Sequence, residues 1–564
     1  MNSGMRRGLT SYGDPEFSAY LRKAFIKAMG YSEDAIERPI VGITNTYSDF
    51  NPCHGNVPQL IEAVKRGVML AGGMPMVFPT ITLHESFAYP TSMFLRNLMA
   101  MDTEEMILSL PVDSIIAIGG CDKTLPAQIM AIASANRPAI VLPTGAMLTG
   151  SHRGERLGAC TDCRRFWARY RGGDIDASEI EEVSGRLVPS IGTCSVMGTA
   201  STMSGLCEAL GLSLPYSGSI PAVYAERMRI AENTGRRAVE LIAENLTPRD
   251  ILTRKSLLNA MVVLQAMGGS TNAVIHLAAI AGRVGLQLDF DELDRIGRAV
   301  PVLVDLKPSG EYYMEDFHAS GGFPALMAEV RDFLDLDVLS VSPTPFWQVL
   351  DTARADPTPR KAIRTIEAPV SSRGAIAILH GNLAPNGAVI KQSAASPSLM
   401  QHEGRALVFD GVEDLVARID LPDLDVKPED ILVLRNAGPR GGQGMPEAGY
   451  LPIPAKLAKA GVKDMVRISD ARMSGTGFGT VVLHISPEAA VGGPLSFVRT
   501  GDRIRLDVAA RRLDLLVSDA ELSERRAQWS ARAKPRARGY AALFDRAVTQ
   551  ADKGCDFDFL VSEH

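Results

Sequence analysis

Short apolar runs alternate with longer amphipathic stretches along the first part of the chain. The runs are rich in β-branched residues and are bounded by glycine, proline or polar residues, a pattern typical of buried strands. The stretches that follow them have helical periodicity. Strands are predicted at 40–43, 76–78, 115–118 and 139–142, and helices at 57–71 and 125–135. This alternation predicts a mostly parallel sheet sandwiched by helices.

The middle of the chain is predicted to be mainly helical. The predicted helices are at 204–212, 224–245, 257–267 and 271–281. The polar, arginine-rich segment 150–176 is interpreted as a functional loop or lid that leads into a helix.

The pattern changes after a polar, proline-rich boundary at 356–372. Short alternating strands follow, together with a hairpin. They are predicted at 375–379, 406–409, 431–434 and 465–468, and the hairpin at 504–508 and 513–515. The basic stretch 525–538 is interpreted as helical or disordered. We therefore predict an α/β protein with an N-terminal α/β domain over 1–368 and a smaller, β-rich, barrel-like α+β domain over 369–564.

Composition and charge exclude several classes of function. The chain has 564 residues, of which 46% are hydrophobic, so it can bury large cores. Its net charge is −6 and its basic residues are scattered, which argues against a nucleic-acid-binding stripe. No run approaches the ~18 apolar residues of a membrane span, and residues 1–14 lack the apolar region of a secretory signal. We expect a cytoplasmic protein with a small-molecule substrate and no nucleic-acid or membrane partner.

The cysteines favour metal chemistry over disulfides. Seven is an odd number, and no export signal accompanies them. Cys53, Cys121 and Cys194 each lie in a glycine- or asparagine-rich turn beside a predicted strand end. If the fold brings them together, three thiolates suit a soft metal or an iron–sulfur cluster with one open iron that acts as a Lewis acid. The alternative is that each thiol is buried as a small hydrophobic group.

Carboxylates lie in similar turns. Asp122 and Lys123 directly follow the strand at 115–118, where open α/β sheets bind ligands. Glu85 and Glu447 also lie in turn-rich stretches. Hard oxygen ligands in glycine turns suit magnesium, while helix caps or surface charges are the alternative.

The glycine-rich segment 470–480 permits more than one interpretation. Ser474 follows a predicted strand there, which suits a nucleophile, a base or a phosphate-binding residue. Its glycines, with Cys160 and Cys163, also raise a nucleotide-dependent oxidoreductase as an alternative, but the spacing departs from Gly-x-Gly-x-x-Gly and no Walker loop is present. The two cysteines could instead be a redox pair or half of a zinc site. A sugar-acid-binding protein without catalysis is the non-enzyme alternative.

Four stretches together resemble the dihydroxy-acid / sugar-acid dehydratase family, and the resemblance covers nearly the whole chain. These stretches are residues 119–124, 192–203, 441–447 and 470–476. The resemblance implies a 2Fe-2S cluster on Cys53, Cys121 and Cys194. It also implies a magnesium (Mg2+) site, whose ligands would be Glu85, Asp122, Glu447 and a carbamylated Lys123. Forming the carbamate requires a neutral amine, which a partly buried lysine provides more easily.

The resemblance further implies dehydration of a 2,3-dihydroxy acid to a 2-keto-3-deoxy acid. Ser474, deprotonated beside the metal, is the expected base for the C2 proton, and iron takes the leaving hydroxide. Thr476 and His54 are expected to orient the substrate or relay protons. The resemblance also implies a homodimer or homotetramer with the site between the two domains, near a subunit contact.

Two stretches indicate which branch of the family the chain resembles. Residues 192–203 and 160–165 are similar to the sugar-acid branch, such as arabinonate and xylonate dehydratases. The alternative is a dihydroxy-acid dehydratase of branched-chain amino-acid biosynthesis, which converts 2,3-dihydroxyisovalerate to 2-ketoisovalerate. Phosphogluconate dehydratase resembles the chain less, because the sequence offers no dedicated phosphate site.

Overall fold

Two separate sheets organise the chain. The computed structural model describes residues 3–9, 11–531, 536 and 538–562. Strands of the N-terminal part are β1 Ile40–Asn45, β2 Met74–Pro79, β3 Ser114–Gly119, β4 Ala139–Pro143, β5 Gly150–His152 and β6 Glu155–Leu157. Strands of the C-terminal part are β7 Ile376–Gly381, β8 Ala384–Lys391, β9 Gln401–Asp410, β10 Ile431–Arg435, β11 Arg467–Ser469, β12 Val481–Leu483, β13 Arg503–Asp507 and β14 Arg512–Leu515.

Helices separate the strands in both parts. The N-terminal helices are α1 Pro15–Ala28, α2 Glu33–Ile36, α3 Val57–Leu70, α4 Ser92–Ser109, α5 Thr124–Ala135, α6 Thr161–Gly172, α7 Ala177–Leu187, α8 Thr199–Ala209, α9 Ala225–Glu244, α10 Pro248–Ile251, α11 Arg254–Ala266, α12 Asn272–Arg283, α13 Phe290–Ala299, α14 Met314–Ala319, α15 Gly322–Glu329 and α16 Phe346–Ala355. The C-terminal helices are α17 Val412–Arg418, α18 Ala455–Lys459, α19 Asp519–Ala527 and α20 Gly539–Ala547.

The N-terminal sheet is parallel, with the strand order β2-β1-β3-β4. Every residue of β3 and β4 is buried, which explains why these strands are continuous apolar runs without alternation. Helices α5 and α9 pack against β3, and α3 packs against α9. The predicted α/β fold, with a parallel sheet flanked by helices, is therefore confirmed.

The C-terminal sheet closes into a barrel with the strand order β10-β11-β12-β8-β7-β14-β13-β9. Strands β9 to β12 pair in parallel, and β7–β8 and β13–β14 pair antiparallel. Successive residues of a strand point to opposite faces of the sheet, so they contribute to two different hydrophobic cores. Val408 and Val433 belong to the interior core, whereas Phe409 and Leu434 pack outside with residues of α17 and α18. The predicted β-rich, barrel-like domain is confirmed.

Several elements differ from the prediction. Strand β8 contains Pro385, Asn386 and Gly387, which are turn residues in sequence terms, and β12 has only three residues. Both strands are specified by barrel closure and were not predicted, and neither was α4. Of the basic stretch 525–538, residues 525–527 end α19, and residues 532–535 and 537 lie outside the described residues. Among the described helices, none is both long and apolar enough to cross a bilayer.

Candidate active site

Loops at the carboxyl ends of the four strands of the parallel sheet meet at one cavity. Cys53 follows β1, Glu85 follows β2 and Cys121 follows β3. Cys194 lies beside the end of β4, because Thr193 bridges to Ala146 in parallel. Parallel strands place their carboxyl ends at one edge of a sheet, so the fold explains this convergence.

The barrel supplies the opposite wall. Glu447 lies in the segment after β10, and Ser474 and Thr476 lie in the turn after the neighbouring strand β11. The cavity has a volume of about 420 Å³. The predicted site residues that line it are Cys53, Cys121, Cys194, Glu85, Asp122, Glu447, Ser474 and Thr476.

The thiols of Cys53 and Cys121 form a group that includes an unpredicted histidine and that could hold a metal ion. Ligand atoms of Cys53, His84 and Cys121 all lie within 4.8 Å of one another. Cys194 lines the same cavity, and its Sγ lies 3.9 Å from the Sγ of Cys160. The one sequence signal for His84 is its place directly before Glu85.

His54 forms hydrogen bonds with the turn that carries Cys121, and it does not line the cavity. Its Nδ1 lies 2.8 Å from the carbonyl oxygen of Thr46, and its Nε2 accepts from the backbone N–H groups of Gly120 and Cys121 at 2.9 and 3.0 Å. Burial lowers the pKa of His54 to about 4, so the ring is neutral. Both nitrogens contact backbone groups, which gives His54 a positioning role; its part in orienting the substrate or relaying protons stays a prediction.

Gly120 permits a close contact that no other residue would. A Cβ atom at this position would lie 1.7 Å from Oγ1 of Thr144. That hydroxyl donates to the carbonyl oxygen of Cys53 at 2.8 Å. The glycine therefore lets the turns that carry Cys53 and Cys121 pack together.

The carboxylates form a second group beside the thiols. Oxygen atoms of Glu85, Asp122 and Glu447 lie within 4.8 Å of one another. The Lys123 ammonium is fully buried among them, in contact with Asp122, 3.3 Å from Glu85 and 4.0 Å from Glu447. Glu85 and Glu447, which are far apart in the sequence, thus both lie near the Lys123 ammonium.

Arg472 bridges the carboxylates across the domains. Its Nη1 donates to Glu447 at 2.6 Å, and its Nη2 donates to both oxygens of Glu85 at 3.1 Å. Burial opposes ionisation of Glu85, yet Arg472 and Lys123 hold its pKa well below the usual value. Burial raises the pKa of Glu447, although Arg472 and Lys123 oppose that effect.

The turn with Ser474 packs closely against the N-terminal domain. Ser474 Oγ lies 2.8 Å from Thr476 Oγ1. A Cβ at Gly475 would lie 2.5 Å from Oγ of Ser270 and 2.7 Å from the backbone nitrogen of Thr199, the first residue of α8. Ser474 is half-buried, so its hydroxyl faces the cavity from a turn fixed by its neighbours.

The amino-terminal part of α6 forms the remaining wall. Cys160, Cys163, Arg164 and Trp167 line the cavity there. The Arg164 guanidinium lies 4.7 Å from the centre of the Tyr450 ring, a cation–π contact across the domains. The segment 150–176 thus contains a short hairpin followed by α6, and part of it lines one side of the cavity. Its role as a functional loop or lid stays a prediction.

Two models of known protein families match the two parts of this chain. Residues 38–348 match the family model described as dihydroxy-acid/6-phosphogluconate dehydratase N-terminal, and residues 361–555 match its C-terminal counterpart. The chain belongs to the dihydroxy-acid/6-phosphogluconate dehydratase family.

Individual dehydratases cover almost the whole chain. A 6-deoxy-6-sulfo-D-gluconate dehydratase of Pseudomonas putida is 47% identical over 94% of this chain and 91% of its own. An L-arabinonate dehydratase of Rhizobium leguminosarum is 45% identical over 97% of this chain and 95% of its own. A dihydroxy-acid dehydratase of Acetivibrio thermocellus is 38% identical over 94% and 96%, respectively. The dehydratases named for sugar acids are the more similar of these three.

The thiols of this dehydratase are suited to bind a metal group that carries positive charge. A hydrogen bond with Cys121 and burial raise the pKa of Cys53 well above its usual value. A hydrogen bond with Cys160 and burial do the same for the pKa of Cys194. Buried, closely spaced thiols ionise together only with a cation, and soft iron suits this donor set.

The carboxylates of the dehydratase fit a hard divalent cation, but Lys123 differs from expectation. Burial and Arg472 oppose its charge, yet Asp122, Glu85 and Glu447 together raise the pKa of Lys123. The side chain is fully buried, and burial alone does not make the amine neutral. A carbamate would therefore require the charge balance of the three carboxylates to change first, as a bound cation would do.

Proposed function

We propose that this enzyme removes water from an aldonic acid, a 2,3-dihydroxy sugar acid such as a pentonate, and forms the 2-keto-3-deoxy acid. One observation carries the proposal: a thiol group, a carboxylate group and the hydroxyls of Ser474 and Thr476 line the same cavity between the domains. The similarity to dehydratases of sulfogluconate and arabinonate supports the sugar-acid class.

Cys53, Cys121 and Cys194 are the proposed holders of a 2Fe-2S cluster. Mg2+ is assigned to a second set of ligands, namely Glu85, Asp122, Glu447 and a carbamylated Lys123. When bound, the cluster supplies a Lewis acid for the C3 hydroxyl and Mg2+ supplies charge for the carboxylate and C2 oxygen.

The side chains of the protein then have distinct tasks. Ser474 is the proposed base that takes the C2 proton. The C3 hydroxyl leaves with its bonding electrons, and the proton held by Ser474 passes to this hydroxide to form water. Thr476 holds the Ser474 hydroxyl through their 2.8 Å hydrogen bond. Serine is a weak base at its ordinary pKa, so its activity requires nearby positive charge. The enol that remains becomes the 2-keto acid.

Carbamylation of Lys123 requires carbon dioxide as its only co-reactant. The neutral amine attacks carbon dioxide, forms an N–C bond and releases one proton. Complete burial protects the product from water, and its oxygens would join those of Glu85 and Asp122. A mass increase on Lys123 in protein loaded with Mg2+ and bicarbonate is the expected sign.

A substrate panel tests the proposal. The protein is purified without oxygen, and its iron content and visible spectrum are measured; we expect a red-brown protein with about 2 iron atoms per chain. Aldonic acids of four to six carbons are compared with 2,3-dihydroxyisovalerate by assay of the 2-keto acid. Faster turnover of an aldonate supports the proposal. Faster turnover of dihydroxyisovalerate favours the branched-chain alternative, and a colourless, active protein contradicts the cluster.

Assembly is a separate part of the proposal. We expect a homodimer or homotetramer, as the family resemblance implies. Light scattering of the protein after size-exclusion chromatography measures its mass directly. A monomer at the concentration used for the activity assay would contradict this expectation.

A further inference from the structure

Two thiols from different parts of the chain face each other in the cavity. Cys160 immediately precedes α6 and Cys194 lies in the loop before α8, yet their Sγ atoms are 3.9 Å apart. Both side chains are partly exposed, whereas Cys207 and Cys555 are buried elsewhere. An oxidant that enters the cavity can therefore reach this pair.

We propose that Cys160 and Cys194 are a site of reversible disulfide formation in the protein without its iron–sulfur group. A disulfide has an S–S distance of about 2.05 Å, so the sulfur atoms must approach by about 1.9 Å from their present 3.9 Å. Cys160 serves no ligand role in the proposed function, which leaves its thiol available. The reactive class of oxidant is a low-molecular-weight disulfide, such as oxidised glutathione.

The chemistry is a pair of thiol–disulfide exchanges. One protein thiolate attacks oxidised glutathione, forms a mixed disulfide and releases one reduced glutathione. The second protein thiolate attacks the protein sulfur of that mixed disulfide and releases the second glutathione. The two protein thiols lose two electrons and two protons, and oxidised glutathione accepts them.

Cys163 provides a route back. Its thiol donates to the carbonyl oxygen of Cys160 at 2.6 Å; Cys160 immediately precedes α6 and Cys163 lies in its first turn. Attack of the Cys163 thiolate on the sulfur of Cys160 would form a Cys160–Cys163 disulfide and return Cys194 as a free thiol. The Cys-x-x-Cys sequence that the catalytic proposal does not use thus acquires a function.

The disulfide itself is independent of the reaction that the enzyme catalyses. Its consequence, a block on cluster binding, rests on the proposed function, because that proposal assigns Cys194 as a ligand. Experiments can therefore distinguish failure of the disulfide proposal from failure of the proposed function.

Peptide mapping tests the disulfide. Protein stripped of iron is incubated with oxidised glutathione, its remaining thiols are alkylated, and peptides are analysed by mass spectrometry. We expect a linked pair of Cys160 and Cys194 peptides that is absent from Cys160→Ser and unchanged in the matched control Cys207→Ser. Cys163→Ser should accumulate more of this linked pair. A Cys194 that stays alkylatable, or that links to Cys53 or Cys121, would overturn the inference.

Cluster loading gives a second readout that does not depend on activity. Iron and sulfide are added to oxidised protein, and the visible absorbance is followed before and after dithiothreitol. Cys163→Ser, in which the linked pair cannot be resolved, is expected to load only after reduction, and Cys160→Ser without it. Equal loading of the two oxidised variants would overturn the block. A linked pair in protein that dehydrates no sugar acid would leave the disulfide standing and refute the proposed function alone.

Discussion

Ser474 Oγ and Thr476 Oγ1 lie 2.8 Å apart in the turn that follows β11. Gly475 between them lies too close to Ser270 and Thr199 to carry a side chain. The turn is fixed by contacts from the N-terminal domain. The two hydroxyls thus keep their geometry only while the domains stay together.

Ser474→Ala should abolish turnover while the protein keeps its fold. Loss of a positioned base lowers kcat by about 10²- to 10⁴-fold, because proton transfer at C2 then depends on water. The iron content and visible spectrum should match those of wild type. Turnover of an aldonate is measured by 2-keto acid formation, with Thr476→Ser as the control that keeps a hydroxyl. Near-normal kcat in Ser474→Ala would remove serine from the role of base.

Lys391 should make stability depend on pH. The side chain is fully buried, its Nζ lies 3.4 Å from the carbonyl oxygen of Gly475, and burial lowers its pKa to about 7. An unfolded lysine has a pKa of about 10.4, so between these values the unfolded state binds more protons. The contribution of Lys391 to the free energy of unfolding should therefore rise with pH across this window, by about 1.4 kcal/mol per pH unit.

Lys391→Met should lack that rise. Urea unfolding at several pH values between about 7 and 10 compares the variant with wild type and with Lys463→Met, which changes an exposed lysine. The difference between Lys391→Met and wild type should shrink as the pH increases. A constant difference across the window would show that Lys391 keeps its proton in the folded protein and that its pKa is not lowered.

Arg472→Met should destabilise the metal-free protein. The guanidinium is fully buried and pairs with both Glu85 and Glu447. Removing one partner of a buried ion pair typically costs about 3–5 kcal/mol, because the remaining charge has no compensation. Added Mg2+ should restore part of this loss, since it supplies charge to the same carboxylates.

The measurement for Arg472 is urea unfolding with and without Mg2+. Arg503→Met is the matched control, because Arg503 is half exposed and pairs with Glu403 on the surface. That variant should change stability by about 1 kcal/mol or less, with no effect of Mg2+. An Arg472→Met protein as stable as wild type in the absence of metal contradicts the bridging role.

The sequence predicts elements better than it predicts contacts between them. Strand β3 is a run of isoleucines with glycines after it, so its place in the sheet follows from composition. The first half of strand β8 is specified by its partners in the barrel, because Pro385, Asn386 and Gly387 favour a turn. His84 had no signal beyond its place directly before Glu85, and nothing local indicated that Cys160 and Cys194 are neighbours, since these contacts depend on the fold.

Arg164 and Trp167 should select the substrate. Both lie on the cavity wall formed by α6, and Nε of Arg164 is buried without a hydrogen-bond partner among the described residues. An aldonate has hydroxyls beyond C3 that could accept from this donor, whereas dihydroxyisovalerate ends there in a methyl group. Losing a hydrogen bond to a charged group costs about 1.5–3 kcal/mol, so Arg164→Met should lower kcat/KM for a pentonate about 10- to 150-fold.

The same change should leave kcat/KM for dihydroxyisovalerate within a few-fold of wild type, because that substrate offers Arg164 no distal oxygen. Trp167→Leu should shift the ratio in the same direction by removing the flat face beside the substrate chain. Arg169→Met is the control, since Arg169 lies on the same helix but stacks on Phe166 instead of lining the cavity. An equal loss for both substrates would mean that Arg164 acts on the carboxylate end, near Glu447, and not on the distal chain.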